Sequence, residues 1–212
     1  VCSCPTCGYM LKVILKTGAK HPLQYIHGAR VENAFVNIPL EGVYQSVVPI
    51  PVEFFSTIVR DQGYFSPISL EKRILIAENT YDVGEYLIML QKEGKLKLTY
   101  RPFPAKVAYY PPCHQREQGI GEPYAELMKM IPQITLTSIN GNYCCGSGGI
   151  MGFKKEFYRV SVKIASRLIA RLKSLTPDVI ATDCLSCRLQ LNQLLPYPVL
   201  HPIQIIRLNL TR

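Results

Sequence analysis

Eight cysteines gather at three places in this chain and are absent between them. Cys2, Cys4 and Cys7 open the sequence, Cys113, Cys144 and Cys145 lie near its middle, and Cys184 and Cys187 lie toward its end. A disulfide framework staples a small chain along its whole length. This chain has 212 residues, 48% of them hydrophobic, and can bury a core without staples. Two CxxC pairs and one CysCys pair are instead the pattern of thiolate ligand sets. Any fold that uses them together must bring distant loops to one place.

The elements between the cysteines indicate how. Residues 1–16 read as a loop carrying CPTC into a short helix from Tyr9 to Lys16. Residues 17–68 are rich in Pro, Gly, Tyr and Val. They read as loops with short extended runs such as Ser46–Ile50, an insertion suited to packing on another subunit. RILIA at Arg73–Ala77 reads as a short buried strand. Asp82 and Glu85 form a capping box, and Val83, Leu87 and Leu90 recur at helical spacing up to Gly94. KVAYY at 106–110 is an expected strand, stopped by Pro111-Pro112. A helix is expected over 122–131 and a strand over 135–139. Residues 154–175 form an amphipathic pattern, with Phe157, Val160, Ile164, Leu168 and Leu172 on one face. A strand over 179–182 leads into Cys184, followed by helices over 185–194 and 202–210. This alternation predicts an α/β fold with a largely parallel sheet.

A weak internal repeat adds a second level of organisation. CSCPTCGYMLKVIL parallels TDCLSCRLQLNQL, each a CxxC followed by apolar-rich helical sequence. The expected architecture is two pseudo-repeated halves with largely parallel sheets. Residues 1–77 hold a partial first half with an insert at 17–68. Residues 78–212 hold a linking helix and a complete second half. The chain lacks an initiator Met and opens almost on a cysteine motif, so a fragment is expected.

The net charge of +9 suits an acidic redox partner or anionic lipid, and equally a solvated surface. No arginine-rich run and no aromatic-plus-basic RNA signature is present, which argues against nucleic acid. On the long helix, Lys163, Arg167 and Arg171 stand at i, i+4 and i+8. Their default reading is a solvated face; docking of an acidic partner or a membrane surface is the alternative. No run of about 18 apolar residues marks a transmembrane helix. No basic region followed by an apolar stretch marks a secretory signal.

Loops at the C-terminal ends of parallel strands converge on one edge of the sheet. Three such loops can present Cys113, Cys144, Cys145, Cys184 and Cys187 to one site. A CxxC turn supplies two sulfurs in one small arc, and adjacent cysteines point in different directions. Gly146, Gly148 and Gly149 let backbone approach a bulky group and aim N–H donors at its sulfides. Iron bound through thiolates fits a five-sulfur set. Tetrahedral zinc uses four and leaves one spare, and a metal-free dithiol needs only one CxxC. His114, beside Cys113, is placed to bond a sulfur, donate a proton or cap a helix. His21, His27 and His201 have no ligand spacing and read as structural. The glycines of GSGGIMG lack GxGxxG spacing and there is no P-loop. No catalytic residue can be assigned.

The spacing Cx30CCx38CxxC, with PPCH at its start and CCGSGG in its middle, resembles the cysteine-rich CCG domain of heterodisulfide reductase-like and anaerobic glycerol-3-phosphate dehydrogenase-like iron–sulfur subunits. AYYPPCHQREQGIG, CCGSGGIMGFKKEF and TDCLSCRLQLNQ carry the likeness to the second group. The resemblance implies a [4Fe–4S] cluster, of non-cubane type in some members, held by Cys113, Cys144, Cys145, Cys184 and Cys187. It implies an electron-transfer subunit of an oxidoreductase complex, passing electrons to a disulfide or a quinone. Its partners would be flavoprotein or ferredoxin-type iron–sulfur subunits. Its place would be the cytoplasm, including the membrane's cytoplasmic face. The family carries two copies of the motif; here Cys4 and Cys7 match only the last CxxC of the first. That incomplete first site is expected to hold metal once upstream ligands are added, or to take zinc. A zinc-binding interaction module is the alternative for the whole.

Overall fold

In the computed structural model, residues 8–9, 11–12, 25–26, 29–30, 69–148, 152 and 154–211 are described. The chain divides into two compact units: Met10–Asn79, and Val1–Tyr9 with Thr80–Arg212.

In the first unit a short antiparallel ladder joins β1 (Tyr25–Ile26) to β2 (Ala29–Arg30). The segment expected as a strand at Arg73–Ala77 is instead part of helix α1 (Leu70–Glu78). Ser69 caps it by accepting the Lys72 N–H, and Glu71 favours the positive end of the helix dipole. RILIA is apolar, but Leu75 and Ile76 are 62% and 40% exposed, so no sheet covers them. A short apolar run cannot by itself separate a strand from a helix; here the serine cap decides. The Ser46–Ile50 run and the remainder of 17–68 lie outside the described residues.

The second unit is a parallel α/β layer structure. Its described elements are α2 (Val83–Lys92), β3 (Lys106–Tyr109), α3 (Cys113–Arg116), α4 (Pro123–Lys129), β4 (Thr135–Ser138), α5 (Tyr158–Leu175), β5 (Val179–Ala181), α6 (Leu185–Leu194), β6 (Val199–Leu200) and α7 (Pro202–Asn209). The strands lie in the order β4-β3-β5-β6, and all pairs are parallel. Register is pinned at Val107↔Leu136, Ala108↔Ile180 and Ile180↔Val199. At the strand starts, Lys106 N–H donates to Asp178 Oδ2 while Asp178 N–H donates to the Lys106 carbonyl.

Side chains alternate across a strand, so each strand feeds both faces. Val107 and Tyr109 enter one core with Ile88, Tyr124, Leu127, Met128, Ile205 and Ile206, from α2, α4 and α7. Ala108 and Ile180 enter the other with Leu168, Leu172, Leu191 and Val199, under α5 and α6. The chain crosses from β3 to β4 by way of α4 on one face, then to β5 by way of α5 on the other. The winding therefore reverses between β3 and β5, the place where open α/β sheets form their ligand crevice.

Helix α2 has the expected capping box. Gly84 N–H donates to Asp82 Oδ1 at 2.8 Å, and Asp82 N–H donates to Glu85 Oε2 at 3.1 Å. The buried face of α5 is rotated from the one expected. It consists of Val160, Ser161, Ala165, Leu168 and Leu172, while Ile164 is 39% exposed. No helix among the described residues is long and apolar enough to cross a membrane.

Candidate metal centre

Each of the five clustered cysteines stands just past the C-terminal end of a strand. Cys113 begins α3, four residues after β3 ends. Cys144 and Cys145 follow β4 through a turn at Gly141–Asn142. Cys184 is the N-cap of α6 and Cys187 lies in its first turn, after β5. Two of the three loops therefore flank the reversal between β3 and β5, and the third leaves β4, the edge strand on the other side of β3. None of the five is in a disulfide. Cys145 and Cys187 are buried; the other three are half-buried.

The loops are held by a few polar bonds. Tyr110, fully buried, donates its hydroxyl to the Tyr143 carbonyl at 2.9 Å. Arg116 donates to the Gly141 and Tyr143 carbonyls at 3.0 Å each and lies over the Tyr110 ring. These bonds fix the approach to Cys144. Beyond the pair, Gly146 takes φ +80° and its N–H donates to Cys144 Sγ at 3.3 Å. Ser161 Oγ on α5 donates to the Gly146 carbonyl at 2.8 Å and accepts from Gln190 Nε2 on α6 at 2.8 Å. Ser147 Oγ donates to the Ser186 carbonyl at 3.2 Å, tying the CysCys loop to the CxxC turn. Sequence reasoning singled out none of Tyr110, Arg116, Ser161 and Gln190. The available signal was a polar residue, Ser161, on the apolar face of a long helix.

The sulfurs interact with one another. Cys187 Sγ donates to Cys145 Sγ at 2.9 Å. Cys145 is the acceptor of the set, its pKa well lowered by hydrogen bonds from Cys144 and then Cys187. Those same bonds hold Cys144 and Cys187 in the thiol form, with pKa values raised. Cys184 is drawn down to about 6, first by a bond from the Cys187 thiol, against its own burial. Its place at the start of α6 also favours the anion. Cys113 is pushed up to about 11, by burial and then by the Cys145 charge. Burial and the surrounding thiols also keep Tyr110 protonated, as its donor role requires. Among the described residues, no three metal-ligating side chains already stand at the spacing of ligands to one ion; the thiols are linked pairwise.

The histidines take supporting places. His114 stacks on Tyr9, centroids 5.5 Å apart and planes 7° apart. His201 caps α7, accepting the Ile203 N–H on Nδ1, and meets Tyr124 edge-on. His21 and His27 lie outside the described residues, as do Cys2, Cys4 and Cys7, and with them the expected first site. Gly149 lies outside them too.

Residues 107–192 match the family model of the CCG cysteine-rich domain. This stretch is similar to that domain. Its span runs from β3 into α6 and takes in the five cysteines. The chain is similar to one subunit of the anaerobic glycerol-3-phosphate dehydrogenase of Escherichia coli K12, 36% identical over 114 residues, 54% of this chain and 28% of the relative. It is similar to an uncharacterized iron–sulfur protein of Methanocaldococcus jannaschii, 28% identical over 111 residues, 52% of this chain and 22% of the relative. The chain thus spans under a third of the length of these curated relatives. Within the matched stretch one glycine has a visible duty: a Cβ on Gly146 would stand 2.0 Å from the Ser161 carbonyl oxygen.

The donor set fits an iron–sulfur group. Five reduced sulfurs converge from three loops, and backbone N–H groups already face them.

Proposed function

We propose that the CCG domain holds an iron–sulfur cluster and serves as an electron-transfer part of an oxidoreductase complex. The observation that carries this reading is that five cysteines outside any disulfide stand past the C-terminal ends of three neighbouring parallel strands, beside the reversal of the sheet. The cluster would be of four-iron type and held by Cys113, Cys144, Cys145, Cys184 and Cys187. The likeness to a dehydrogenase subunit and to an iron–sulfur protein supports it. Such a group takes up and releases single electrons.

The chain's own residues prepare the site. Cys145 and Cys184 are biased toward thiolate, the ligand form. Cys113, Cys144 and Cys187 hold protons, so loading the site releases them. Tyr110 and Arg116 fix the loop before Cys144, and Ser161 and Gln190 fix the turn after Cys145. Burial of Cys145 and Cys187 keeps water from that side. Within this reading the domain takes electrons from a flavoprotein or ferredoxin-type subunit and passes them to a disulfide or quinone, as in heterodisulfide reductase-like systems.

Iron and acid-labile sulfide analysis of the anaerobically purified chain tests the proposal. We expect near-equal iron and sulfide, with visible absorption that Cys145→Ala and Cys187→Ala each abolish. Stoichiometric zinc without iron would overturn it.

A further inference from the structure

Helix α5 carries Arg159, Lys163, Arg167 and Arg171, all exposed and each four residues from the next. They form one row about 18 Å long. No acidic residue lies anywhere in Tyr158–Leu175. Like charges at this spacing repel across the helix surface and cost helix stability. A solvated helix with no other duty relieves such a row with interspersed carboxylates, and α5 does not.

The row borders the metal centre. The Arg167 guanidinium lies over the ring of Tyr143, 5.8 Å from its centroid, and Tyr143 directly precedes Cys144. Two residues before Lys163, Ser161 holds the Gly146 carbonyl. The same helix therefore packs its inner face on the cysteine loop and presents its outer face as a row of cations.

We propose that this row is the docking surface for an acidic one-electron carrier protein that exchanges electrons with the centre. The inference rests on the reading of the centre as an iron–sulfur site. The occupant follows from charge complementarity and from place: a carboxylate-rich carrier held on this row lies against the loop of Cys144. A membrane surface would satisfy the charge equally, but gains nothing from the row's position beside the centre. In the exchange, one electron leaves the reduced carrier and enters the centre, and no covalent bond forms or breaks. Opposite charge at the docking faces raises the association rate and makes it sensitive to salt.

The full chain is tested with an acidic [2Fe–2S] ferredoxin as probe, with binding and reduction both measured across ionic strength. K163E/R171E, which leaves Arg167 on Tyr143, is expected to lower the association rate about tenfold or more at low salt. It is expected to fold, because each new glutamate faces an arginine one turn away. K163Q/R171Q is the milder control and should fall between. Photoreduction by a deazaflavin should be unchanged in both. Binding indifferent to these substitutions and to salt, in a chain that holds its cluster, overturns the docking proposal alone. Stripe-dependent binding in a chain with no iron or sulfide supports the docking surface and overturns the cluster. Loss of binding to phosphatidylglycerol vesicles with ferredoxin binding intact assigns the row to a membrane and overturns the proposal.

Discussion

Gly146 closes the turn that follows the cysteine pair, and two independent facts require glycine there. Its φ of +80° lies in the left-handed region, where a Cβ costs about 1–2 kcal/mol. That Cβ would also meet the Ser161 carbonyl at 2.0 Å, a backbone atom held in α5 and unable to swing aside. Gly94, which follows α2, separates the two effects. Its φ is +70°, but nothing lies within 4 Å of the position of a Cβ. Gly94→Ala should therefore cost about 1 kcal/mol and leave metal content alone. Gly146→Ala should cost more than about 2 kcal/mol and lose most of the iron. Urea denaturation and iron analysis of the two variants check this; equal effects would remove Gly146 from the site's architecture. The glycine was legible in the sequence because it follows CysCys. Its partner Ser161 was not, since fifteen residues separate them and only the packing of α5 on the loop joins them.

At the scale of elements, capping chemistry decided more than hydrophobic pattern did. The capping box of Asp82 and Glu85 located α2 from sequence, and His201 with Gln204 closes a similar box at α7. Ser69 would have located α1, had the cap been weighed above the apolar run RILIA. Strand β6 was not anticipated because it is two residues long, flanked by prolines, and recognisable only by its ladder to β5. Pattern also misplaced the inner face of α5 by admitting Ile164 and passing over Ser161 and Ala165. The cap of α2 has a cost that pH reveals. Asp82 is fully buried, and burial raises its pKa above 3.8, against the pull of the Gly84 N–H and the nearby Tyr124 hydroxyl. An acid whose pKa is raised by folding binds protons more tightly in the native state. Its penalty is absent below the unfolded pKa, grows as pH rises toward the folded pKa, and is complete above that. Asparagine caps helices about as well as aspartate. The stability of Asp82→Asn relative to wild type should therefore improve as pH is raised from the acid range, then level off. Denaturation midpoints of both proteins across pH provide the check, and a difference independent of pH would show that Asp82 does not carry the shift.

For the molecule as a whole, the strand–helix alternation was enough to anticipate a parallel sheet, because buried β3 and β5 read as short apolar runs between helical patterns. The strand order, and with it the reversal between β3 and β5, was not readable, since pairing depends on which helices pack on which face. That order has a consequence for metal removal. The two cores lie on opposite faces of the sheet, and the cysteines touch one of them alone, Cys145 and Cys187 as members and Cys184 packed against it. Tyr109, Tyr124, Leu127 and Ile205 are buried in the core that contains no cysteine. A small zinc-finger domain draws its folding energy from its metal; this unit buries enough apolar surface to stand without one. Chelation under reducing conditions should therefore leave the far-ultraviolet circular dichroism and a cooperative thermal transition in place. The midpoint should fall by about 2–4 °C for each kcal/mol of lost binding linkage. A chain that lost its cooperative transition on chelation would show that the centre is a structural staple, and the division between a self-supporting sheet and a grafted metal edge would fail.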